Sequence, residues 1–152
     1  MLIWRHSAYA SLDGAGGNQA SARWHTKGRP ITYCASTSSG ALLETIAHLK
    51  AKAALIPPRL RYLAIDLPDE IEREELDVDA LPDDWRYREP VTQRVGDAWL
   101  HSARTAVLMV PSVLTPETTN FLLNPRHPQA SIITISRTID FPLDPRLVVH
   151  RA

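Results

Sequence analysis

The stretch from Arg23 to Glu44, RWHTKGRPITYCASTSSGALLE, changes its periodicity twice, and whatever the rest of the chain does must accommodate that unit. It reads as a loop, a short strand and the first turns of a helix. Lys27-Gly28-Arg29-Pro30 is turn chemistry, because Gly tolerates positive φ and Pro fixes its own φ. Ile31-Thr32-Tyr33-Cys34 has the β-branched and aromatic composition of a half-buried strand. Ser36-Thr37-Ser38-Ser39 offers hydroxyls for a helix N-cap, and Leu42, Leu43, Ile46 and Leu49 then recur at helical spacing. Glu44 falls about 200° round the wheel from Leu42, away from that apolar face. An Arg before the strand, a Tyr on it and a Glu on the following helix are the makings of a cleft.

The remaining segments supply a sheet and one more helix. Leu2 to His6 reads as a first strand, with Leu2, Trp4 and His6 on one face and Ile3 and Arg5 on the other. Ser11 to Asn18 is a glycine-rich loop. It is neither a P-loop, since no Lys-Ser/Thr follows, nor a dinucleotide fingerprint, since the G-x-G-x-x-G spacing is missing. The helix begun near Ser38 is expected to run to about Lys52, before Ile56-Pro57-Pro58 stops it. Leu60 to Leu67 alternates as a strand. Pro90 opens a helix in a favoured first-turn role, with Val91, Val95 and Trp99 turned to the core. Ala106 to Val110 is a continuous apolar run, expected as a buried central strand ended by Pro111-Ser112. Asn120 to Pro128 reads as turn-rich, Ser131 to Ser136 as a strand, and Phe141 to Val149 as a last extended piece.

Charge is distributed unevenly. Between Asp69 and Asp84 lie nine acidic residues and one basic, Arg73. With 17 of each sign overall, the rest of the chain holds 16 Lys and Arg against 8 Asp and Glu. A basic body with an acidic excursion, carrying one helical turn, suits a phosphate-bearing ligand; a solvated acidic loop is the plainer alternative. At 152 residues, 44% of them hydrophobic and 22% charged, one domain spanning 1–152 is expected. No apolar run approaches the ~20 residues of a membrane span. The N-terminus lacks a signal peptide's charged start and apolar centre. The lone Cys34 suits a reducing cytoplasm.

Several chemistries drop out. The histidines form no H-E-x-x-H or Cys/His pairing, so no metal site is expected. No G-x-S-x-G elbow surrounds Ser112. Scattered Lys and Arg with a pI near 7.0 do not make a nucleic-acid stripe. Arg, Tyr, Glu and a Ser at a strand end remain.

Those residues also carry a likeness. Arg23-Trp24 before a glycine turn, Tyr33 on the strand, Leu43-Glu44 on the helix, Val110-Pro111-Ser112, and Asn124-Pro125 with His127-Pro128 stand in an order that resembles the RES-domain family, from about Trp4 to Pro142. The resemblance implies a single-domain α+β fold of the ADP-ribosyltransferase type, with twisted mixed sheets and flanking helices. It implies a toxin of a toxin–antitoxin module that consumes NAD⁺ as substrate, without a resident cofactor, and an Xre-type helix-turn-helix antitoxin as partner. Arg23, Tyr33, Glu44 and Ser112 match the family's active-site positions; Arg5 and Asn124 match further positions, and Trp24 beside Arg23 joins them as a substrate-binding candidate. The chain departs from the family at Ala22 and His25, where Gly and Asn are frequent.

The chemistry those residue types allow is specific. Breaking a nicotinamide–ribose bond develops an oxocarbenium-like cation, which a nearby carboxylate stabilises; Glu44 is the candidate. Its competing role is a helix Glu paired with His48 one turn on, worth only ~0.2–0.5 kcal/mol. Arg23 offers a planar fork for pyrophosphate or carboxamide, Tyr33 a ring for nicotinamide or ribose, and Ser112 a hydroxyl; as plain structure they would be a surface cation, a core aromatic and a turn-former. Trp24 and Trp99 suit packing. Water, phosphate or a protein side chain would accept the ADP-ribose, giving a glycohydrolase, a phosphorylase or an ADP-ribosyltransferase. A domain that binds a nucleotide or protein without catalysis, with Glu44 structural, is the alternative of another class.

Overall fold

A computed structural model describes residues 1–51 and 59–147. Seven strands form one mixed sheet: β1 (Leu2–Ser7), β2 (Thr32–Ala35), β3 (Arg61–Asp66), β4 (Arg73–Glu75), β5 (Val107–Pro111), β6 (Thr119–Leu123) and β7 (Thr134–Ile139). Their order is β4-β5-β6-β2-β1-β3-β7. Only β4 and β5 run parallel; every other neighbouring pair is antiparallel. Among the described residues three helices accompany the sheet, α1 (Ala15–Gln19), α2 (Ser38–Ala51) and α3 (Glu89–Ser102), so the expected α+β class holds. Among the described residues no helix is long and apolar enough to cross a membrane.

Side-chain alternation sorts the sheet into two faces. Register pairs Ile3 with Ile65, Cys34 with Phe121 and Val107 with Leu123, and these residues form one core with Leu63, Leu67 and Ile133. The opposite face pairs Tyr33 with Leu122, Ala35 with Asn120, and Val110 with Asn120. There Leu108, Val110 and Leu122 pack with Trp24, Ile31, Trp85 and Trp99 in a second core. Burying each such aliphatic side chain contributes about 1.5–3 kcal/mol, so both faces are committed to packing.

Local sequence explains the helix ends. The Thr37 hydroxyl accepts from the Gly40 N–H at 3.0 Å and caps α2, as the Ser/Thr run predicts. Pro90 and Glu89 stand in the first turn of α3 and His101 in its last, complementing the helix dipole. Val91 and Trp99 are buried, as their spacing requires.

Several boundaries differ from expectation. The glycine-rich loop contains α1. The acidic segment is built into the sheet: Arg73–Glu75 is an edge strand, followed by the expected helical turn as a 3-10 turn at Val78–Ala80. The Ala106–Val110 run becomes β5, which incorporates Pro111 and lies second from the edge, not centrally; β4 gives it three residues of cover on its outer side. β6 occupies Thr119–Leu123, inside the segment read as turn-rich, because Phe121, Leu122 and Leu123 bury themselves on alternate faces. A 3-10 turn takes Pro128–Ile132 and delays β7 to Thr134. The final extended piece holds a 3-10 turn at Pro145–Leu147; its residues 148 and 149 lie outside the described residues, as does the stop at Ile56-Pro57-Pro58.

Candidate active site

Glu44 is brought to the sheet by small residues. Ala41 is buried and the Thr45 hydroxyl donates to the His6 carbonyl at 3.1 Å, so α2 lies close over β1 and β2. Leu43, expected on the inner face, is exposed instead. The rotation that results turns Glu44 inward and half-buries it. Its Oε1 accepts from the Ser112 hydroxyl at 3.1 Å and from the Asn120 amide at 2.8 Å. Donors to a carboxylate make the stronger class of hydrogen bond, so Glu44 is held rigidly at a strand end.

Ser112 and Asn120 are each more than nine-tenths buried. Ser112 follows the last residue of β5, and its oxygen also accepts from the Leu114 and Thr115 N–H groups at 3.1 and 3.3 Å. The hydroxyl proton is therefore directed at Glu44 while the turn behind it is fixed. Asn120 presents its Nδ2 to Glu44, an orientation set by the carboxylate's inability to donate. Its Oδ1 is buried without a hydrogen-bond partner. Asn120 was hidden by its place among turn-forming residues; the signal available was an Asn set one residue before the Phe121-Leu122-Leu123 strand run. A cleft of about 230 Å³ opens beside Ser112, lined by Val110, Thr115, Thr119 and Arg86 among others. The Arg86 guanidinium stacks 4.6 Å from the centre of the Trp85 ring.

Arg23 and Tyr33 make no hydrogen bond to the Glu44 cluster among the described residues, although Tyr33 lies near enough to feel the Glu44 charge. Tyr33 points from β2 onto the face that carries Asn120, and its hydroxyl accepts from the Trp24 N–H at 3.2 Å. The same hydroxyl meets His25 Nδ1 at 2.7 Å, while His25 Nε2 donates to the Ala20 carbonyl at 2.9 Å. The Ala20 carbonyl can only accept, so Nε2 carries a proton, and Nδ1 shares a hydrogen bond with the Tyr33 hydroxyl. Burial raises the Tyr33 phenol well above its ordinary range, with the carboxylates of Asp97, Glu89 and Glu44 adding to it and the Trp24 N–H opposing. The hydroxyl thus stays protonated and structural, and the ring remains the part able to meet a ligand. Arg23 directly follows Ala22, whose backbone bridges to that of His25, so Arg23-Trp24 form the tip of a tight turn. One guanidinium nitrogen, Nη1, is buried without a hydrogen-bond partner. A buried cationic N–H left unsatisfied is costly, and an anionic or carbonyl acceptor would relieve it.

The other candidates are placed differently. Trp24 is 2% exposed and its ring lies 6.0 Å from that of Trp85, inside the second core. Arg5 reaches from the opposite face and donates to the Tyr33 carbonyl at 3.4 Å, tying β1 to β2; its Nε is buried without a partner. Asn124 follows the far end of β6, about 13 Å along the chain from Asn120 at the ordinary strand rise, where its Oδ1 caps the Arg126 N–H at 3.0 Å. Neither Arg5 nor Asn124 hydrogen-bonds to the Glu44 cluster among the described residues. No group of three or more His, Cys, Asp or Glu among them is arranged to hold a metal ion.

The chain is similar to known proteins along almost its whole length. A family model described as the RES domain matches residues 2–144. "Toxin Res" of Pseudomonas putida is 42% identical, the match covering 97% of this chain and 99% of that one. The "Prs ADP-ribosylating toxin" of a Sphingobium species is 40% identical over 90% of this chain and 86% of that one. Among solved structures, the M. tuberculosis MbcT–MbcA toxin–antitoxin complex contains a chain with TM-score 0.74 and 17% identity, covering 96% of this chain and 85% of that one. That likeness supports the α+β architecture expected for the ADP-ribosyltransferase type.

Proposed function

The chain belongs to the RES domain family, and from that premise we propose that it is the toxin of a toxin–antitoxin pair and cleaves the nicotinamide–ribose bond of NAD⁺. The observation that carries this reading is the Glu44 carboxylate, fixed by the Ser112 hydroxyl and the Asn120 amide at the end of the sheet. A carboxylate pre-oriented by two donors needs no reorganisation as positive charge develops on a ribose, which is the arrangement that lowers such a barrier. NAD⁺ enters as substrate, not as a resident cofactor.

Each other residue has a role that follows from its surroundings. Arg23, with a buried Nη1 lacking a partner, binds pyrophosphate or carboxamide. Tyr33 holds the Arg23 turn through its hydroxyl and offers its ring to the ligand. Ser112 orients Glu44 and donates to nothing else in the described residues. Water or phosphate accepts the ADP-ribose in the principal reading. Transfer to a protein side chain is the second, favoured by the Sphingobium relative described as ADP-ribosylating. The partner is an antitoxin, expected to be of the Xre helix-turn-helix type, acting in the cytoplasm.

The deciding experiment incubates the purified protein with NAD⁺, with and without inorganic phosphate and with and without cell protein, and identifies products by mass spectrometry. Release of nicotinamide is expected, with free ADP-ribose, its phosphate ester or a modified protein naming the acceptor. Intact NAD⁺ under all four conditions, from folded protein, overturns the proposal in favour of a non-catalytic binding domain.

A further inference from the structure

Arg23 does not rest on its own strand. Four residues of α3, Thr92, Gln93, Gly96 and Asp97, share one face of the helix by their spacing, and each meets the turn that carries Arg23. The Thr92 hydroxyl donates to the Arg23 carbonyl. Gln93 Nε2 donates to the Ala22 carbonyl at 2.9 Å. A methyl group on Gly96 would overlap the Trp24 carbonyl, so only glycine lets the turn lie directly on the helix backbone. The Asp97 carboxylate accepts from the Thr26 N–H at 3.0 Å and the Thr26 hydroxyl at 2.7 Å, and pairs with Arg29 Nε at 3.0 Å.

We propose that α3 is the positioning element of Arg23, and that Asp97 is its principal positioning residue. This rests on the reading of Arg23 as an NAD⁺ ligand. The burial of Trp24 already anchors the turn. What packing leaves free is rotation of the turn about that anchor, and the contacts on both sides of Trp24 remove it. Asp97 receives three donors from two residues with its side chain only 17% exposed, so it is the charge-assisted member of the set. Glycine inside a helix is otherwise disfavoured, and the direct approach of the Trp24 carbonyl gives Gly96 its reason. A guanidinium that recognises a planar acceptor through a fork is sensitive to orientation, so loosening the turn weakens substrate binding before it weakens chemistry.

The test is a double-mutant cycle with a structural arm. Asp97→Ala should raise KM for NAD⁺ at least tenfold while kcat changes less than threefold. On an Arg23→Ala background the same substitution should add less than twofold to the loss in kcat/KM, because Asp97 acts through Arg23. Hydrogen exchange should show the Thr26 amide at least tenfold faster in Asp97→Ala, with amides of β5 and β6 unchanged. Gly96→Ala should reproduce the KM effect where it folds; Asp97→Asn, which keeps the shape, gives an intermediate KM. A KM within twofold of wild type, a full multiplicative loss on the Arg23→Ala background, or uniform acceleration of exchange would overturn the inference. If NAD⁺ is not turned over at all, the functional reading falls. The exchange arm then still decides whether Asp97 fixes the turn.

Discussion

Replacing Glu44 with Gln tests the site most directly, because the structure separates its cost in stability from its cost in activity. The Gln carboxamide oxygen can still accept from Ser112 and Asn120, so both hydrogen bonds survive in geometry. What they lose is charge. A bond to a charged group contributes ~1.5–3 kcal/mol and a neutral one ~0.5–1.5 kcal/mol, so two such bonds lose about 2 kcal/mol, less whatever the carboxylate spent on desolvation. At ~2–4 °C per kcal/mol for a chain of this size, Tm should fall by a few degrees. An exposed helix Glu would have moved it hardly at all, so that shift already reports the half-buried position. Against a domain stability of ~5–15 kcal/mol, the variant remains folded at 25 °C. The transition state loses more. Removing the negative charge from beside a developing cation should lower NAD⁺ turnover ~10²–10⁴-fold, roughly 3–5 kcal/mol of barrier. The assay is nicotinamide release by the purified variant, alongside circular dichroism to confirm the fold. Turnover within about threefold of wild type would refute the assignment of Glu44.

Three further outcomes are expected. Arg23→Lys keeps the charge but loses the planar fork, so its loss of activity should approach that of Arg23→Ala; near-complete activity with Lys would make Arg23 a general cation instead of a geometric ligand. Burial pushes the Cys34 thiol up to about 12, so iodoacetamide at pH 8 should leave the native protein unmodified and label it only after unfolding; rapid native labelling would contradict the packed position of β2. Burial also lowers the His6 imidazole below its ordinary 6.5, so the unfolded state takes up the proton first. Stability is then full above pH 6.5 and declines as pH falls below it. Denaturant melts of His6→Gln should show a shallower decline between pH 6.5 and 5; curves parallel to wild type would remove His6 as a source.

Much of the fold is legible from local pattern. Strands β1, β2, β3 and β5 and helix α3 follow from alternation, β-branched composition and the Pro90 start, all of which act within a few residues. The failures share a cause. β6 was masked because Asn120 and Asn124 are turn formers in isolation, and only pairing with β2 and β5 makes their segment a strand. The inward face of α2 is set by its small residues and not by its leucines. Close approach over β1 and β2 depends on Ala41 and Thr45, and it leaves Leu43 outside. The acidic segment reads as loose from its charge, yet Glu74 pairs with Arg104 at 2.8 Å and Arg73–Glu75 closes one edge of the sheet. Charged residues on a short edge strand discourage pairing with another chain, which gives that charge a structural use.

The polar cluster, in turn, depends on the sheet in a way that no local motif records. Glu44 meets Ser112 across 68 positions of chain and Asn120 across 76. Asn120 shares a face with Ala35 and Val110 only in the observed register of β6 between β2 and β5. A slip of one residue would send Asn120 to the opposite face and bring Phe121 in its place. Phe121 would then leave the core it fills with Ile3, Leu63 and Ile65. The apolar residues of β6 therefore enforce the register that delivers the amide to Glu44, and the site inherits its geometry from the packing of the hydrophobic face behind it. Residue types in the right order identify the participants, but the carboxylate is assembled with its donors only when two cores and three strands agree.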